Sequence, residues 1–149
     1  YGALKGTPYK WLDIAALCRH IFPDNTVNRI RYFTATVEVI KTEEKGSDVN
    51  LATWLLLDAF HGEYEAAIVV SNDSDLAEPV YQVRKEFGVK VVVLHPLRAV
   101  PSPQKPHPNY DLVKAATKSV ILTPSALQLS QFPPSMNDAH GDITKPVSW

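Results

Sequence analysis

The sequence predicts an α/β fold, a mainly parallel sheet flanked by helices, on three observations. Two short apolar runs, Ala66 to Val70 and Val89 to Leu94, are bounded by polar residues, the signature of strands buried on both faces. Apolar residues at helical spacing precede each run. Helix and strand therefore alternate, which is the order that builds a parallel sheet with helices packed on it.

Each element follows from local pattern. Trp11 to Ile21 places Leu12, Ala15, Ala16 and Ile21 on one helical face before Phe22-Pro23-Asp24-Asn25 breaks it. Ile30 to Ile40 is β-branched and aromatic, as suits one strand or two short ones. After polar residues 41 to 47, Val49, Ala52, Leu55, Leu56, Ala59 and Phe60 recur at helical spacing as far as Gly62. Ser47 or Asp48 is the expected cap of that helix. The strand Ala66 to Val70 leads through Ser71-Asn72-Asp73-Ser74-Asp75 into a helix with Leu76, Val80, Val83 and Phe87, closed by Gly88. Val89 to Leu94 is the next strand and runs into His95-Pro96. Four prolines between Ala99 and Pro108 exclude a helix there. Tyr110 to Val120 reads as one more helix, and beyond Thr123 the periodicity fails. The expected organisation is a domain over 1–122, N-terminally incomplete, followed by an irregular C-terminal tail over 123–149.

Composition narrows the function. The chain has 149 residues, 45% hydrophobic and 21% charged, the length of one ordinary domain, and no apolar run long enough to span a bilayer. Fifteen Lys and Arg against sixteen Asp and Glu give a net charge of -1, so no global positive field holds a polyanion. A single cysteine, Cys18, excludes an intrachain disulfide framework and points to a cytoplasmic address.

The acidic residues matter because of where the topology puts them. Ligands of open parallel sheets sit outside the carboxyl ends of the strands, where Asp73 and Asp75 fall, alternating with Ser71, Asn72 and Ser74. Hard oxygen donors at one strand tip suit Mg²⁺ or Mn²⁺. Capping of the helix that begins at Leu76, by Ser74 or Asp75, is an equally good reading. Asp48, at the head of the helix leading into that strand, faces the same edge if the crossover is right-handed.

Two segments in this order, Lys45-Gly46-Ser47-Asp48-Val49-Asn50-Leu51-Ala52 and Ile68-Val69-Val70-Ser71-Asn72-Asp73-Ser74-Asp75-Leu76, resemble the NYN domain, the LabA-like branch of the PIN-like nucleases. Tyr1 to Asp13 and Ser130 to Trp149 also resemble members of that family. The resemblance implies a Rossmann-like PIN fold that hydrolyses RNA phosphodiesters with a divalent metal, Mg²⁺ or Mn²⁺, held by Asp48, Asp73 and Asp75. Relatives usually begin with a central strand ending in Asp-Gly-x-Asn, which this chain lacks at its start, so residues upstream of Tyr1 are expected. Relatives also carry an acid where this chain has Trp54, and extra residues around positions 35 and 36.

The expectation is thus a metal-dependent ribonuclease with catalytic Asp48, Asp73 and Asp75, and with Ser71, Asn72, Ser74, Lys45 and His95 contacting substrate. RNA is the expected partner, with homo-oligomerisation open and no membrane. The alternative is a catalytically silent PIN-like RNA-binding or regulatory module, which Trp54 and the absent first acid favour. A phosphohydrolase with an aspartyl nucleophile ranks last. Arg29, Arg31, Lys41, Lys45, Arg84 and Arg98 form a phosphate rim if the fold gathers them; scattered solvated charge is the default. Asp58 reads as a solvated position or a salt bridge, Cys18 as core packing, and Trp11 and Trp54 as packed side chains.

Overall fold

A computed structural model describes residue 4 and residues 7–33, 46–96, 107–139 and 141–147. The chain divides into two compact units, one holding the described residues up to Ile30 and from Leu122 onward, the other Arg31–Pro96 and His107–Ile121.

The first unit joins the two ends of the chain. Helix α1 spans Ile14–Ile21, and the carboxylate of Asp13 caps it by accepting the Ala16 N–H at 2.9 Å. The α1 helix packs against α5, Pro124–Leu129. Leu17 and Cys18 are buried, and burial pushes the Cys18 thiol up, so the cysteine is a packing residue. Beside α1, Leu12 bridges Gln131, the Trp11 indole donates to the Pro133 carbonyl, and Trp11 meets Phe132 edge to face. Strands β4, Ser135–Asp138, and β5, Gly141–Thr144, form an antiparallel hairpin. Among the described residues, the segment expected to be an irregular tail thus holds α5 and the β4–β5 hairpin. Thr123 accepts the Ala126 N–H and Pro124 sits at the first helical position, a start signal, but a six-residue helix and four-residue strands are too short to show periodicity.

The second unit is built on a three-stranded parallel sheet, in order β1-β2-β3, of β1 Ala66–Val70, β2 Lys90–His95 and β3 Lys118–Ile121. Helix α3, Ala77–Phe87, crosses from β1 to β2, and α4, Tyr110–Ala115, from β2 to β3. Both steps move the same way along the sheet, so right-handed crossovers put both helices on one face. Helix α2, Ser47–Phe60, packs there too, and Leu55, Ala59, Val69, Val80, Val83, Val91, Val93 and Leu112 form a common core. The α2 helix is apolar around much of its circumference, and Val49, Leu57 and Phe60 stay exposed.

Three expectations change here. Ile30 to Phe33 form no strand, and 34–45 lie outside the described residues. Gly46 caps α2, with φ of +86° and no side-chain hydrogen bond, so neither Ser47 nor Asp48 is its cap; the left-handed turn needed there suits glycine. The helix expected over Tyr110 to Val120 ends at Ala115, and β3 follows. Thr117 accepts the Val91 N–H through its hydroxyl and donates its own N–H to the Val91 carbonyl, so pairing to β2 overrides helical spacing.

Candidate functional site

The carboxyl edge of the sheet is organised by the turn that follows β1. The Ser71 N–H donates to the Leu94 carbonyl at 3.1 Å, extending the β1–β2 ladder by one residue. The Ser71 hydroxyl then accepts the Asp73 N–H, and the Asp73 carboxylate accepts the Asp75 N–H, both at 3.1 Å. These are the side-chain turns that Ser and Asp form readily. They lead into a one-turn 3-10 helix, Ser74–Leu76, whose Leu76 is buried in the core. Asn72, Asp73, Ser74 and Asp75 are exposed along this turn.

Asp48 lies in the first turn of α2. The short connection from Phe60 to Ala66 returns α2 antiparallel to β1, and α2 packs against the 3-10 helix. The head of α2 and the tip of β1 thus share one sheet edge. The carboxylates themselves do not assemble: among the described residues no three His, Cys, Asp or Glu side chains form a group that could hold a metal ion. One oxygen of the Asp73 carboxylate is turned to the backbone of its own loop.

His95 differs from its expected role. It ends β2 on the same face as Val91 and Val93, is 0% exposed, and hydrogen-bonds Asn72 through Nδ1 at 2.8 Å. A ring so buried cannot lie along a surface phosphate. Burial holds its pKa below the usual histidine value, so it is neutral at physiological pH. Asn72 likewise spends its amide on the protein: Oδ1 also accepts the Asn109 N–H at 2.8 Å. Asn109 was missed in the sequence, although an Asn between Pro108 and a helical run is an N-cap signal; its side chain accepts the N–H groups of Asp111 and Leu112 and so caps α4.

Of the six basic residues expected at a rim, Arg31 and Arg84 are engaged within the protein. Lys41, Lys45 and Arg98 lie outside the described residues. The Arg31 guanidinium forks onto Asp58, with Nε to Oδ2 at 2.7 Å and Nη2 to Oδ1 at 2.8 Å, and stacks over the Trp54 ring at 4.1 Å. Arg84 donates to the Ala116 carbonyl. Of the two readings of Asp58, a solvated position or a salt bridge, it is the salt bridge that forms, and Trp54 packs under an arginine.

Comparison with known proteins places this arrangement. A family model described as the NYN domain matches residues 3–123. The chain belongs to the NYN domain family. Membership puts it in the PIN-like nuclease superfamily, whose NYN domains generally bind RNA and use divalent metals. This NYN chain is also similar to a Pseudomonas putida protein named 6-hydroxy-3-succinoylpyridine 3-monooxygenase, at 27% identity across the whole chain and 71% of that protein. A solved Vibrio parahaemolyticus structure of unknown function covers 76% of the chain at 17% identity with a TM-score of 0.44, and the chain spans 61% of that structure's length. Among the described residues of the NYN chain, no helix is long and apolar enough to cross a membrane.

The donor chemistry at the turn fits a hard divalent cation. Mg²⁺ and Mn²⁺ prefer carboxylate and water oxygens, and Mg²⁺ is commonly held by one or two carboxylates completed by substrate phosphate. Asp73 and Asp75, both exposed on the turn, are carboxylate donors of that kind.

Proposed function

We propose that this NYN domain is a metal-dependent ribonuclease acting at the turn after β1. The reading rests on the two exposed carboxylates, Asp73 and Asp75, at the carboxyl edge of a parallel sheet, on a turn braced by side-chain hydrogen bonds. Unscreened carboxylates repel a phosphodiester, so RNA would bind at this turn only with a cation between them. Asp73 and Asp75 would hold Mg²⁺ or Mn²⁺, with Asp48 at the neighbouring helix head adding negative charge. Ser74, exposed on the same turn, would donate a hydrogen bond to a phosphate oxygen. A bound ion would supply a water of lowered pKa and would stabilise charge on the leaving oxygen.

The test is cleavage of single-stranded and structured RNA with Mn²⁺. Asp73→Asn keeps an oxygen to accept the Asp75 N–H, so the fold should persist while the rate falls by about a hundredfold or more. Cleavage that survives EDTA, or that the substitution leaves intact, removes the metal mechanism.

A silent RNA-binding module is the second reading, favoured by the lack of a three-ligand group among the described residues. RNA binding without cleavage would establish it. The name of the P. putida relative sets a further control. Hydroxylation of 6-hydroxy-3-succinoylpyridine with dioxygen and a reductant, and no action on RNA, would replace both readings.

A further inference from the structure

His95 carries a feature that packing does not explain. Its Nδ1 reaches Asn72, yet its Nε2 is buried and has no hydrogen-bond partner among the described residues. Such an orphaned atom costs stability, and leucine would fill the site without that cost. The hydrogen bonds around Asn72 show what the imidazole provides. Asn72 Oδ1 accepts the Asn109 N–H, and Asn72 Nδ2 faces the His107 carbonyl at 3.4 Å. The atom facing His95 is therefore an acceptor, and Nδ1 carries the proton. One amide thus joins the tip of β1, the end of β2 and the cap of α4, on the residue immediately before Asp73.

We propose that His95 and Asn72 are positioning residues for the acidic turn: the Nδ1–H of His95 locks the Asn72 amide, and the locked amide fixes where Asp73 and Asp75 are presented. Neither residue touches substrate in this assignment, which replaces their expected role as substrate contacts. The inference rests on the reading of Asp73 and Asp75 as metal-binding carboxylates. Residues that orient metal-binding groups commonly matter to metal affinity by about 10- to 100-fold.

The test compares His95→Leu, which removes the donor and the orphaned atom together, with His95→Asn, whose amide nitrogen can replace Nδ1 as donor. Asn72→Ala is the partner variant. Hydrogen exchange on the full chain reads the lock directly. The Asn109 amide should lose protection in His95→Leu and Asn72→Ala, keep it in His95→Asn, and core amides such as that of Val93 should stay protected in all three. Mn²⁺ affinity, measured by proton relaxation without RNA, should weaken about tenfold in His95→Leu and recover in His95→Asn. A purely structural role predicts that affinity follows thermal stability instead. If the wild-type chain binds Mn²⁺ and His95→Leu binds it equally well, the proposal is overturned and the metal reading stands. If the wild type binds no Mn²⁺, the metal reading falls and the positioning role falls with it, whatever the exchange data show. An Asn109 amide unprotected in the wild type overturns the lock itself.

Discussion

The protonation of His95 gives the clearest pH signature available at the scale of single residues. Burial lowers its pKa in the folded state below the ordinary value, so the unfolded chain binds the proton more readily. Above pH of about 6.5 both states are neutral and the residue contributes no pH dependence; below it the unfolded state gains protons first and stability falls with pH. His95→Leu should flatten this part of the stability profile, and thermal denaturation of the two proteins between pH of about 5 and 8 measures the difference. Arg31 and Asp58 make a second prediction. Asp58 is 8% exposed and both of its oxygens are taken by the guanidinium, whose pKa rises through that hydrogen bond. Arg31→Lys should lower the melting temperature nearly as much as Arg31→Ala, because an ammonium group can neither fork onto a carboxylate nor stack flat on Trp54.

At the scale of elements, α2 depends on how it starts and α4 on what it buries. Gly46→Ala leaves nothing for the new Cβ to strike, so its cost is the left-handed backbone alone, about 1–2 kcal/mol by denaturant unfolding. Leu112→Ala removes a fully buried side chain of α4 from the common core and should cost about 2–5 kcal/mol. The same elements show what the sequence made legible. The strand Ala66–Val70 and the stop at Gly88 match their readings residue for residue, because an apolar run between polar residues and a glycine after a helical stripe are local signals. The break after Ala115 was hidden, since Thr117 is drawn into the sheet by Val91, distant in sequence. The candidate site divides along the same line. The alternating Ser, Asn and Asp residues were visible as donors of hard oxygen or as caps, but the residue that caps the 3-10 helix is Asp73, not Ser74 or Asp75. The burial of His95 was not legible, because what covers a strand end is decided by the helices packed on it.

For the whole molecule, the core of the sheet unit is a contiguous set of apolar side chains, so EDTA should leave its melting temperature unchanged. Added Mn²⁺ should raise it if the turn binds the ion, through a stabilisation of about 2.7 kcal/mol at a hundredfold excess over the dissociation constant. Differential scanning calorimetry reads both outcomes. The joint at Asn72 carries a kinetic consequence. Its partners His95 and Asn109 lie 23 and 37 residues further along the chain, so it closes only after the first βαβ crossover is complete and the chain has turned back toward the start of α4. Such contacts belong to the late side of the folding barrier, where losing one leaves the folding rate nearly unchanged and accelerates unfolding. Asn72→Ala should therefore shift only the unfolding arm of a chevron plot, and the acidic turn would be the last part of the domain to assemble and the first to come undone.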